Sequence, residues 1–145
     1  MSHLAYKSLT SELTEVLLKQ SGSIPSYVTG TLIRNGPALF EIGTEQFNHW
    51  FDGQAMIHTF TIADSQVTYS NQFLNTTNYR AHKAAGKIAA KEFGTDPCST
   101  IFGRMFSVFK PTATEYQNAN VSVKKVLGER FIAMTETPGP VEIDI

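Results

Sequence analysis

Metal binding is the first chemistry to look for in this chain, and its candidate ligands are His3, His49, His58 and His82. His49 and His58 flank Asp52-Gly53, a pair that readily supplies the positive φ of a two-residue type I′ hairpin. That hairpin sets Phe51 against Gln54, His49 against Met56 and Phe47 against His58, so the two imidazoles become diagonal neighbours on one face. Diagonal neighbours are rooted about 7–8 Å apart, close enough to converge on a metal with bonds of about 2.0–2.1 Å. The face offers no third ligand beyond Gln54 and is otherwise apolar, which favours two structural histidines hydrogen-bonded within a sheet over a metal site. Glu136 is the carboxylate of interest, standing between two threonines at the end of the apolar run from Phe131 to Thr135. It is either solvated or turned into the domain, where it needs a hydrogen-bond partner. Arg34-Asn35-Gly36-Pro37 imitates an anion site, but Asn35-Gly36 reads as chain reversal and Arg34 as an ion-pair or carbonyl-capping residue.

The elements that must position these residues are mostly strands. Residues 1–23 read as a leader: Leu9, Leu13, Val16 and Leu17 fall at helical spacing, Ser8 or Thr10 is available as a cap, and Gln20-Ser21-Gly22-Ser23 ends the helix. A first strand, Thr31 to Arg34, stops at Asn35-Gly36-Pro37. Thr59 to Ile62, Gln66 to Phe73, Ser122 to Leu127 and Phe131 to Thr135 are further strands, with Ala63-Asp64-Ser65 and Gly128-Glu129-Arg130 as turns. Tyr79 to Ala90 starts helically, with Gly86 against it. Val141 to Ile145 alternates apolar and acidic residues as an unfinished strand does. The fold class is therefore all-β, in residues 24–145.

One stretch breaks the pattern. Asp96 is a good N-cap and Pro97 suits a first helical position. Cys98, Ile101, Phe102, Met105, Phe106 and Phe109 then recur at helical spacing before Pro111. A packed core helix has this period, and so does an amphipathic helix lying on a membrane, which the purely basic opposite face favours.

Composition narrows the partners. Twelve basic against thirteen acidic residues give a formal charge of −1, which leaves no field to recruit a phosphate backbone, so nucleic acid is not expected. A lone cysteine forms no internal disulfide, and the N-terminus lacks the basic-then-apolar pattern of a signal peptide, so a cytoplasmic location is the default. No apolar run reaches the roughly 18–20 residues of a membrane span.

Gly30-Thr31-Leu32-Ile33-Arg34-Asn35-Gly36-Pro37, Phe47-Asn48-His49-Trp50-Phe51-Asp52-Gly53-Gln54, Glu92-Phe93-Gly94-Thr95-Asp96-Pro97-Cys98 and Thr135-Glu136-Thr137-Pro138 together resemble the carotenoid cleavage oxygenases. Ala38 stands where many of that family carry glycine, which asks only that φ stay negative there. The resemblance implies the N-terminal part of a seven-bladed β-propeller, truncated before the histidines that hold Fe(II), with none of the four present here in the ligand set. It implies a dioxygenase that splits a double bond of a carotenoid or apocarotenoid with O2 to carbonyl products, the chain as given being inactive alone. Glu136 matches a glutamate that accepts a hydrogen bond from an iron-ligating histidine, and Phe51, Phe93 and Thr135 match positions along the substrate tunnel. The Cys98–Phe109 face matches a patch that touches the membrane surface, which makes the protein peripherally membrane-associated. A non-catalytic, membrane-associated carotenoid or lipid carrier and a retinoid isomerohydrolase of the same family are the alternatives.

Overall fold

A computed structural model of the chain describes residues 7–97, 117–126, 128, 130–136 and 139–143. The expected amphipathic helix, from Cys98 through Ile101, Phe102, Met105, Phe106 and Phe109, lies outside the described residues. Nine strands, one α-helix and one short 3-10 helix are present among those described, and none of their helices is long and apolar enough to cross a membrane.

The main sheet holds four antiparallel strands in the order β1-β6-β5-β2: β1 is Leu13–Leu17, β2 Gly30–Leu39, β5 Gln54–Ala63 and β6 Gln66–Phe73. The β5–β6 hairpin turns at Asp64 and Ser65, both with positive φ (51° and 59°), the conformation a two-residue type I′ loop requires. A second sheet of three strands, β7 (Ser122–Lys125), β8 (Phe131–Met134) and β9 (Val141–Ile143), is also antiparallel. Ala55, Ile57, Leu74, Ala119, Ala133 and Ile143 form a buried cluster that spans both sheets. The short pair β3 (Glu41–Ile42) and β4 (Glu45–Gln46) and the helix α1 (Thr77–Ala85) complete the described structure. Gly86 takes the left-handed conformation (φ 63°) as the C-cap of α1, so the glycine that argues against a longer helix is where the helix ends.

Three sequence expectations are overturned. The leader helix is instead β1, whose Val16 and Leu17 pair with Tyr69 and Thr68 of β6. A register shift between Leu13 and Val16, with Glu15 at φ 49°, makes the bulged strand imitate helical spacing. Ser8 caps no helix; its hydroxyl accepts from the Phe40 N–H at 2.8 Å. The Asn35-Gly36-Pro37 turn does not exist either: β2 runs straight through it, with Asn35, Gly36 and Pro37 opposite Ile57, Met56 and Ala55. Asn35 donates its side-chain amide to the carbonyls of Ala119 (2.6 Å) and Ser122 (3.1 Å), tying the first sheet to the entry of the second.

The third correction concerns Asp52-Gly53. No hairpin closes there, because Trp50–Asp52 is a 3-10 turn and Gly53 has φ −54°. Gly53 is required for closeness: an added Cβ would lie 2.5 Å from the Phe40 ring and 2.7 Å from Pro37. His49 and His58 are consequently not diagonal partners. His58 sits opposite Arg34 and Asn71 in the sheet and shares a 2.7 Å hydrogen bond with the Tyr69 hydroxyl. Partial burial, and secondarily the Arg34 guanidinium, hold its pKa below the usual imidazole value.

Candidate functional site

The residues with the best claim to function converge where the 3-10 turn meets the loop from Glu92 to Thr95. The turn is closed by a capping box: the His49 Nδ1 accepts from the Phe51 N–H at 3.1 Å, and the Asp52 carboxylate accepts from the His49 N–H at 3.2 Å. Trp50 stacks on Phe40 with centroids 4.6 Å apart. Phe51 is thereby turned outward and left 50% exposed.

The loop is pinned to the same carboxylate. Asp52 Oδ1 accepts from the Gly94 N–H at 2.8 Å, and Oδ2 accepts from the Thr95 hydroxyl at 2.6 Å. The Thr95 oxygen in turn accepts from the Asn48 N–H at 2.8 Å. Gly94 permits this approach, because a Cβ there would meet the His49 Cβ at 2.5 Å. Phe93 is left 63% exposed, its ring 5.8 Å from Phe51 and 5.0 Å from His49, which is itself 5.0 Å from Phe51. Two phenylalanines and one imidazole therefore form an open aromatic surface on a rigid clasp. Rings of this kind supply large contact area to an elongated apolar ligand with little side-chain freedom to lose.

Beneath the clasp lies a second buried carboxylate, Glu92, only 1% exposed. Its Oε1 accepts from Gln54 Nε2 (2.9 Å), Asn78 Nδ2 (3.0 Å) and His82 Nε2 (2.9 Å). Asn78 and His82 are four residues apart and share one face of α1. His82 Nδ1 accepts from the Ala89 N–H at 3.1 Å, so the ring proton lies on Nε2 and is donated to Glu92. Asn118 accepts from the Ala55 N–H (3.1 Å) and donates to the carbonyls of Asp52 (3.2 Å) and Gly53 (3.1 Å). Asn120 donates to the carbonyls of Phe51 (2.7 Å) and Gly53 (2.9 Å).

Of the residues singled out from sequence, Phe51 and Phe93 are brought together. Thr135, half-buried, and Glu136, exposed, follow β8, and among the described residues no hydrogen bond or ring contact joins them to the aromatic surface. Asp52, expected only as half of a turn, and Gln54, considered only beside the two histidines, carry the site together with Asn78, Glu92, Thr95, Asn118 and Asn120, which were given no role from sequence. The visible signals were the alternation of Asn118 and Asn120 around Ala119 and the four-residue spacing of Asn78 and His82. Among the described residues no three of His, Cys, Asp and Glu are gathered so as to hold a metal ion.

A family model described as retinal pigment epithelial membrane protein matches residues 6–145. The chain belongs to the carotenoid oxygenase family. It is 41% identical over 131 residues to the β,β-carotene 15,15′-dioxygenase of Mus musculus, covering 87% of this chain and 23% of that one. It is 40% identical over 137 residues to the carotenoid isomerooxygenase of Galleria mellonella, covering 91% and 26% respectively. A variant of the Synechocystis apocarotenoid oxygenase superposes with a TM-score of 0.83 at 30% identity, over 96% of this chain and 28% of that one. The cobalt-substituted form of that enzyme gives 0.82 at 30% identity, over 95% and 28%. The β-rich architecture is thus that of carotenoid oxygenase structures, and the chain spans about a quarter of the length of the curated relatives it matches.

Proposed function

We propose that this carotenoid oxygenase-family chain serves an enzyme that cleaves one double bond of a carotenoid or apocarotenoid with O2. In that reaction the carbon–carbon double bond breaks and each carbon takes one oxygen atom, giving two carbonyl products. The observation that carries the reading is the 41% identity to a carotene dioxygenase over 131 residues. The open Phe51–Phe93 surface supports it, as one wall of a slot for a rigid polyene, with Thr135 further along. Fe(II) would activate the oxygen, and the family resemblance assigns its histidine ligands to later parts of a seven-bladed propeller of which these sheets form the N-terminal blades. The test is product analysis of the full-length protein incubated aerobically with a carotenoid and, separately, with a retinyl ester. Two carbonyl fragments from the carotenoid are expected. Products of altered double-bond geometry would place it with the isomerooxygenase relative, retinol from the ester would make it an isomerohydrolase, and binding without turnover would make it a carrier.

Within this reading Glu136 orients a histidine that ligates the iron, since a carboxylate behind a ligand fixes the ring's tautomer and raises its basicity. Its exposed place at the end of β8 leaves the carboxylate available to such a partner. Glu136→Gln in the full-length protein is expected to weaken metal retention or turnover by about 10–100-fold. Unchanged metal occupancy and turnover would remove that role.

A further inference from the structure

We infer that His49 is a specificity-determining residue, donating a hydrogen bond from Nε2 to an oxygen of the substrate, so that the site prefers a polyene bearing a hydroxyl or carbonyl over a hydrocarbon of equal length. The inference rests on the reading that the Phe51–Phe93 surface faces the polyene. The tautomer follows from the turn. His49 Nδ1 accepts from the Phe51 N–H at 3.1 Å, so the ring proton is on Nε2, on the far side of the imidazole from that backbone. Nε2 has no hydrogen-bond partner among the described residues, and the side chain is exposed.

The ring is also fixed in place. Asp52 holds the His49 backbone N–H at 3.2 Å, the Cβ rests against Gly94, and both phenylalanine rings lie 5.0 Å away. A single oriented N–H set in an aromatic wall is the pattern by which mostly apolar pockets read one polar atom of a ligand. Capping alone does not call for histidine, because Ser, Thr, Asp and Asn are the preferred N-caps. What the imidazole adds is a second nitrogen that reaches beyond the turn.

Two variants separate the capping job from the reading job. His49→Asn keeps an acceptor for the Phe51 N–H; His49→Phe keeps a ring against Phe51 and Phe93; neither has a donor at the Nε2 position. The measurement is kcat and KM of the full-length protein for a hydroxylated and a hydrocarbon polyene of the same chain length. The wild type should favour the hydroxylated substrate, and both variants should lose that preference by about tenfold, the size of one neutral hydrogen bond. The loss should appear as a fall in the ratio of kcat/KM between the hydroxylated and the hydrocarbon substrate, carried by KM for the hydroxylated one, over and above any change that the altered ring or cap makes on both alike. An equal decline on both substrates, an unchanged ratio, or a loss confined to one variant would overturn the inference. If the wild type turns over neither substrate, it is the oxygenase reading that fails. The same ratio read from dissociation constants, by titration of the polyene absorption band, then decides the role of His49.

Discussion

Replacing Glu92 by alanine is expected to destabilise the protein by about 3–5 kcal/mol, whereas Glu92→Gln should cost only about 1 kcal/mol. The difference follows from which oxygen is used. Gln54, Asn78 and His82 all donate to Oε1, while Oε2 has only a 3.5 Å approach from Asn118. A glutamine that places its carbonyl oxygen at Oε1 keeps three acceptor contacts and turns its amide toward Asn118 alone. Alanine leaves three buried donors unsatisfied, each costing about 1–3 kcal/mol before relaxation. Equilibrium denaturation of the three proteins checks this. Equal losses for Gln and Ala would show that the charge, and not the geometry around Oε1, is what matters.

What could be read in the sequence was what local chemistry determines. β6 has the bounds expected of it, Gln66 to Phe73, because its flanks are unambiguous: Asp64 and Ser65 take the positive φ that a tight hairpin needs. β8 and the start of β7 were legible for the same reason, with Gly128 (φ 75°) in the turn between them. The misreadings came where tertiary position overrode local preference. Asn35-Gly36-Pro37 is turn chemistry in isolation, but β2 is an edge strand, where a proline needs no ladder partner on its open side. A bulge gave β1 the spacing of a helix. Gly53 was read for the φ it could adopt, when the constraint was the Phe40 ring against its α-carbon.

The aromatic part of the site was legible and its support was not. Phe51 and Phe93 stand out as large apolar residues in short blocks that resemble a family. Asp52 looked like half of a turn, and Glu92 stood only as one residue of a block that resembles a family. The partners that bury them arrive from far along the chain: Asn118 is 66 residues from the Asp52 carbonyl it holds. No periodicity encodes a contact at that separation. A buried carboxylate is recognisable only once its donors have been assembled around it.

Asp52 should therefore respond to substitution differently from Glu92. Both of its oxygens are engaged, Oδ1 by the Gly94 N–H and Oδ2 by the Thr95 hydroxyl and the His49 N–H. Asparagine cannot serve both sides, because in either orientation its amide meets a backbone N–H that is also a donor. Asp52→Asn is expected to cost about 3 kcal/mol, close to the cost of Asp52→Ala, since each leaves at least one buried donor without an acceptor. The functional loss should exceed what unfolding explains. This carboxylate sets the gap between Phe51 and Phe93, and a displacement of about 1 Å in a positioned site costs roughly a hundredfold in rate. Thr95→Ser keeps the hydroxyl and should hold wild-type kcat/KM on a carotenoid, whereas Thr95→Val should fall with Asp52→Asn. Assays run well below each variant's melting transition separate the two effects. An Asp52→Asn protein that melts like wild type, or a Thr95→Val protein with undiminished turnover, would show that the clasp does not position the rings.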